Sequence, residues 1–286
     1  MNTGAHAEKG GYFVPSPSPF PITLSVGLFF LCLGGALLVN GSAAGPWAAA
    51  VGAAIMVFGI VAWFGAVIRE SRAGVYHKQE ARSFRLGMWW FIISEALFFA
   101  SLFGVLFYER VIAVPWLASF SAHFTPWVGF KAAWPTSGPA GASFRVVNPW
   151  GIPALNTLIL LTSASTVTGG HDLLMKGDRR TATHLVGLTI LLGLAFLGMQ
   201  AREFYDAYTT LHLTLHSGVY GATFYILTGF HALHVTIGLV MLSVIFGRLT
   251  RGHFGPGDHF GFQAVSWYWH FVDVVWLILF VFVYWL

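Results

Sequence analysis

Residues 86–108 read LGMWWFIISEALFFASLFGVLFY, with Glu95 as the only charge in 23 positions. At 1.5 Å per residue a helix of this length exceeds the roughly 30 Å hydrocarbon core of a bilayer. Six further stretches of the same kind flank it: Ile22–Asn40, Trp47–Ile68, Ile152–Gly170, Thr183–Gln200, Val219–Gly247 and Ala264–Leu286. The chain therefore reads as an all-α polytopic membrane protein with seven transmembrane helices. Span six is long enough to tilt or to project into water. Composition agrees. Charged residues make up 9% of the 286, against about 25% in soluble domains. The 48 aromatic residues argue against disorder.

The remaining segments follow. A tail, 1–21, carries no apolar core of a signal peptide. Helices one and two occupy 22–68, a basic loop 69–85, and five helices 86–286, interrupted by one long loop, 109–151, with Trp116, Trp127, Trp134 and Trp150. Indole rings favour the membrane–water interface, and this loop is expected to lie along it or simply to connect. Eleven Lys and Arg residues fall on the N-terminal side of the membrane and four on the other. The positive-inside rule then places the N-terminus in the cytoplasm and the C-terminus outside, as an odd number of spans requires.

Several function classes fall away. The small, scattered net charge of +4 does not suggest nucleic acid. A single cysteine, Cys32, excludes a disulfide framework or a Cys-based metal site. A retinal Schiff base needs a lysine inside a helix, and Lys9, Lys78, Lys131 and Lys176 all lie in the tail or loops. No internal repeat relates the two halves, which weighs against an inverted-repeat transporter.

Ionisable groups at membrane depth are rare and informative. Glu95 shares its helical face with Phe91, Phe98 and Phe99, so desolvation favours the neutral acid. It is either a proton-handling group or a buried carboxyl hydrogen-bonded across helices, to His231 or His234. A neutral acid in an apolar pocket is also open to hydrophobic carbodiimides. His231 and His234 lie three apart on span six, and His270 and Asp273 three apart on span seven. Imidazoles can bind metal or haem, but two on one helix with no accompanying Glu-x-x-His make a poor ligand set. Interhelical hydrogen bonding is the better reading, with His270 and Asp273 a buried polar pair; no metal is expected. Ala100 and Gly104 are four apart, a spacing that lets another helix approach closely.

A wider set of blocks carries a family resemblance. His259-Phe260-Gly261-Phe262-Gln263-Ala264, followed by Trp267-Tyr268-Trp269-His270-Phe271-Val272-Asp273-Val274-Val275-Trp276-Leu277, resembles the C-terminal signature of cytochrome c oxidase subunit III. In the family's order stand also Val14–Pro19, Val67–Ser71, Phe91–Glu95, Asn156-Thr157, Gly177-Asp178-Arg179, Gly218–Gly221 and Gly229–Val235. The resemblance implies two helices splayed from five around a V-shaped cleft that holds phospholipid. It implies a non-redox accessory subunit of a proton-pumping oxidase that takes electrons from cytochrome c to oxygen. Haem and copper would reside in partner subunits I and II, with subunit I the main contact and no cofactor in this chain beyond bound phospholipid. Support of proton uptake and protection from turnover inactivation are implied too. Glu95 matches the family's carbodiimide-reactive carboxyl. Arg69, Glu70, His77, Arg248 and His253 resemble its lipid-headgroup contacts, and Trp63 and Phe91 its acyl-chain contacts.

Gln263 stands where the family usually has Glu, and Ser217 where it has Asp. The loop 109–151 is longer than in mitochondrial members, which points to a bacterial plasma membrane. Two alternatives stay open: subunit III of a quinol oxidase, whose relatives often lack the first two spans, and a stand-alone proton transporter using Glu95 with a histidine.

Overall fold

In the computed structural model, residues 17–76, 78–119, 130–139, 141, 143–255 and 259–286 are described. Every regular element among them is helical, and seven helices are long and apolar enough to cross a membrane. The chain divides into two compact units, Met1–Phe84 and Arg85–Leu286.

In the first unit, α1 (Phe20–Val39) and α2 (Gly45–Arg72) form an antiparallel hairpin. Each begins with a proline in its first turn, Pro21 and Pro46, where the missing N–H costs no helical bond. Glycines bring the two backbones together. A Cβ on Gly34 would lie 2.2 Å from the backbone nitrogen of Ala49, and one on Gly52 2.3 Å from that of Leu31. The close small-residue contact expected at Ala100 and Gly104 is thus found elsewhere. A Cβ on Gly104 would meet nothing within 4 Å, so no described part of this chain packs there.

The second unit holds most of α3 (Lys78–Phe107), then α5 (Ile152–Met175), α6 (Arg179–Thr209), α7 (Gly218–Thr250) and α8 (Phe260–Leu279). The third span does not stop at Tyr108. It continues as a π-helical turn, Tyr108–Ala113, and a short α4, Val114–Ser119, so the first part of the expected long loop is helix. The wider π turn sits just before Pro115, which cannot supply the usual backbone donor. A second π turn, Phe280–Trp285, ends α8.

Helix ends also run past the apolar stretches. α6 has 31 residues where hydropathy marks Thr183–Gln200. Charges at Arg179, Arg180, Arg202, Glu203 and Asp206 break the apolar run without breaking the helix, because they lie near headgroup depth where a charge is tolerated. The start of α6 is capped by Asp178, whose side chain accepts the Thr181 N–H at 3.0 Å. That hydrogen bond holds the Asp178 carboxyl below the usual carboxylate range.

α8 is pinned by its aromatic and imidazole nitrogens. Trp276 Nε1–H donates to Thr157 Oγ1 at 3.0 Å, and Trp269 Nε1–H to Ser163 Oγ at 3.0 Å. His270 Nε2 meets Thr168 Oγ1 at 3.0 Å. All three hydroxyls are on α5, each also donating to its own helix backbone. The Trp269 indole is fully buried. A Cβ on Gly193 of α6 would lie 2.8 Å from its Cη2, and one on Gly238 of α7 2.9 Å from its Cε3. One ring therefore meets α5, α6 and α7 together.

The described part of the long loop also packs on this unit. Phe144 stacks on Tyr220 at 5.4 Å and Trp134 meets the same ring edge-on at 5.6 Å. The Arg145 N–H donates to the Leu211 carbonyl at 2.9 Å. Trp116 and Trp150 are exposed, and Trp127 lies outside the described residues.

Trp269→Ala is expected to destabilise the chain by about 3–5 kcal/mol, the range for losing a large buried ring. Gly193→Val should cost about 1–3 kcal/mol by overpacking against the same indole. Denaturant titration in detergent checks both, and an unchanged midpoint for Trp269→Ala would show that the ring does not hold the helices.

Candidate functional site

The structure resolves which histidine meets Glu95. His234 Nε2 lies 2.8 Å from Glu95 Oε2, joining α7 to α3. His231, one turn earlier on α7, turns away and its Nε2–H donates to the Val272 carbonyl of α8 at 3.2 Å. Helical spacing cannot separate these two, because both lie on one face of α7 and only the azimuth of α3 chooses between them.

The other nitrogen of His234 fixes the chemistry. Nδ1 lies 2.7 Å from the Phe230 carbonyl, and a carbonyl only accepts, so Nδ1 carries a hydrogen. The contact between Nε2 and Oε2 then holds one hydrogen. Either Glu95 is the acid and donates to a neutral imidazole, or the imidazolium donates to a carboxylate. Both forms have zero net charge, which an apolar surround requires. That surround is present: the Phe99 ring is 4.9 Å from the His234 ring edge-on, Phe98 stacks on it at 6.1 Å, and Phe98 meets Phe230 at 5.0 Å.

His270 and Asp273 lie together on one face of α8, with His270 Nδ1 3.9 Å from Asp273 Oδ2, too long for a hydrogen bond, while the other ring nitrogen, Nε2, meets Thr168 Oγ1. Asp273 is 5% exposed, and neither of its carboxyl oxygens has a hydrogen-bond partner among the described residues.

The residues resembling lipid contacts fall in two groups. In the first unit, Arg69 and Glu70 occupy the last turn of α2, and Trp63 stacks with Phe20 at 6.2 Å. Glu70 accepts the Tyr76 hydroxyl at 2.5 Å, and burial with this carboxylate pushes the Tyr76 phenol upward from its ordinary value. His77 lies outside the described residues. In the second unit, Phe91 stacks with Tyr268 at 5.9 Å, and the Arg248 guanidinium lies 4.1 Å above the Phe254 ring. The His253 N–H donates to the Arg248 carbonyl at 2.9 Å, closing the end of α7. Among the described residues, no group of three or more His, Cys, Asp or Glu side chains is gathered to hold a metal ion.

The two departures have local substitutes. Ser217 Oγ accepts the Thr214 N–H at 2.8 Å and donates to the His212 carbonyl at 3.0 Å, so a hydroxyl ties the turn before α7. Gln263 Oε1 accepts from Arg85 Nε at 3.4 Å, a neutral acceptor for a cation.

Sequence reasoning missed two buried carboxyls, Glu80 in the first turn of α3 and Glu203 on α6. Glu203 is 2% exposed; its Oε1 accepts the Tyr284 hydroxyl at 2.6 Å and Gln200 Nε2–H at 3.3 Å. Ending the span at Gln200 hid it. The Gln200-x-x-Glu203 spacing, which puts both on one helix face, was the available signal.

A model of the family described as Cytochrome c oxidase subunit III matches residues 10–286. A protein of Marchantia polymorpha named Cytochrome c oxidase subunit 3 is 38% identical, with 98% of this chain and 97% of the relative covered. Proteins of the same name from Prototheca wickerhamii and Gadus morhua are each 37% identical, covering 97% and 100% of this chain and 98% and 99% of the relatives. These sources overturn the expectation of a bacterial plasma membrane and point to the mitochondrial inner membrane. That expectation rested on the length of the 109–151 loop, and connecting loops vary in length among relatives while the fold stays. With a match this long on both sides, the chain belongs to the cytochrome c oxidase subunit III family.

Proposed function

We propose that this chain is a non-redox accessory subunit of a cytochrome c oxidase complex. In this reading it packs chiefly on subunit I, beside subunit II, which together hold the haem and copper. It binds phospholipid, supports proton uptake and protects the oxygen-reducing centre during turnover. The observation that carries the reading is the end-to-end relation to proteins named as subunit 3 of that oxidase.

The geometry supports an accessory role over a stand-alone transporter. A proton path through the chain needs titratable groups linked in file. Here the three histidines of α7 and α8 that lie at membrane depth are tied off locally: His234 to Glu95, His231 to a backbone carbonyl, and His270 to a threonine hydroxyl. Arg69 and Arg248 stand at the ends of α2 and α7 on the Lys/Arg-rich side, where cations pair with lipid phosphates.

The direct test is gentle extraction of the tagged chain from its native membrane, followed by a visible spectrum and subunit profile. Haem absorbance with two larger partners, lost when the chain is isolated, is the expected result. A haem-free preparation that stays alone would refute the proposal.

Glu95→Gln is expected to leave the complex assembled with steady-state oxygen consumption near that of the parent. A glutamine amide can still donate to His234 Nε2, whereas His234→Ala strands the carboxyl and should destabilise by about 1–3 kcal/mol. Loss of turnover in an assembled Glu95→Gln complex would contradict a structural pair. Arg248→Ala should lower bound phospholipid and shorten the active lifetime during turnover. Unchanged lipid content and lifetime would remove Arg248 from the lipid contacts.

A further inference from the structure

A cavity of about 760 Å³ opens where the ends of α5, α6 and α7 meet, within the second unit. Its floor is apolar, made by Leu174, Leu249 and Phe254, all buried. Its rim carries Arg179, Arg180 and His184. None of the residues that resemble the family's lipid contacts lines it, but it adjoins two of them: the Arg248 guanidinium lies over the Phe254 ring and His253 precedes that residue, so the inference extends the lipid-binding reading proposed above.

Three features decide its chemistry. First, depth. The 31 residues of α6 span about 46 Å at 1.5 Å per residue, which matches a bilayer with its headgroup layers, about 40–45 Å, and not its hydrocarbon core alone. The Arg179 end of α6 therefore lies among headgroups. Second, charge. Asp178, whose side chain accepts the Thr181 N–H, is the one carboxylate among the lining residues, set against the guanidinium groups of Arg179 and Arg180, which leaves the three with one net positive charge. Third, placement. A Cβ on Gly252, at φ 72°, would lie 2.3 Å from Arg179 Nη1, so the end of α7 holds this guanidinium beside the opening. Any side chain at that position would push it away.

We propose that this cavity is a binding site for the phosphate headgroup of an anionic phospholipid, with the phosphate on Arg179 and Arg180 and the glycerol backbone over Leu174, Leu249 and Phe254. An apolar floor under a cationic rim suits an amphiphile better than free phosphate, which uses only the rim. Guanidinium forks bind phosphate oxygens through paired N–H donors, so arginine fits this role better than lysine.

The test uses the intact complex containing this chain. A phosphatidylglycerol with a photoreactive group next to its glycerol is added to the delipidated complex, irradiated, and the labelled peptides are mapped. Label on the peptides spanning 174–184 and 249–255 is expected. Arg179→Gln or Arg180→Gln should each reduce it about fivefold, the effect of one interfacial cation. Inorganic phosphate should not displace it. Absence of label at both peptides in the parent complex overturns the site, as does equal label in the two variants. Displacement by inorganic phosphate alone would overturn a lipid source and reassign the rim to free phosphate. Cross-linking of Arg179 or Arg180 to acidic residues of a neighbouring subunit would overturn it by showing the rim to be a protein contact. The parent complex decides the first outcome by itself, so a variant that fails to assemble does not remove the test. Haem content of the same preparation reads the accessory-subunit proposal separately.

Discussion

A single indole sets the geometry of the five-helix unit. Trp269 has no room to move, because Gly193 and Gly238 present bare backbone to its two sides and Ser163 accepts its N–H. In lipid there is no hydrophobic gain in pushing apolar helices together, so close packing and interhelical hydrogen bonds must do the work. Trp269 supplies both at once, to three helices. Trp276 and His270 repeat the hydrogen bond to α5 on either side of it, and this fixes the rotation of α8. The first unit reaches the same end without a large side chain. Its glycines, spaced seven apart on each helix, let α1 and α2 touch through backbone.

The Glu95–His234 pair follows from that packing. With α7 held at Gly238 against Trp269, His234 one turn earlier faces α3, and His231 faces α8. A carboxyl and an imidazole sharing one hydrogen carry no net charge in either form, so the pair can sit among phenylalanines. The Phe230 carbonyl fixes which imidazole nitrogen faces Glu95. The pair is thus a cross-link between α3 and α7 as much as it is an acid.

Much of the site was legible in the residues. Glu95 stood out because a lone acid in an apolar run has few explanations, and His231 and His234 stood out as two imidazoles three apart within an apolar span. The buried carboxyl Glu203 did not stand out. It follows Arg202 and precedes Asp206, and in a string such a group looks like a solvated helix end. Only the fold shows that Tyr284, eighty-one residues later, covers it. The His270–Asp273 spacing does bring the two side chains to 3.9 Å, and only the fold shows that the other ring nitrogen of His270 meets a hydroxyl on α5.

By itself the sequence determined the membrane class, seven crossing helices, the basic side and the family. These are local properties: twenty apolar residues cross a bilayer whatever their neighbours do, and short motifs are read in order along the chain. The tertiary structure decided where the helices end, which histidine meets Glu95, that Ser217 can tie the turn before α7, and that two arginines ring a cavity with an apolar floor. Those depend on the azimuth and register of one helix against another. Azimuth and register are set by a few contacts distant in sequence, Trp269 with Gly193 and Gly238 foremost, and no periodicity along a single helix contains them.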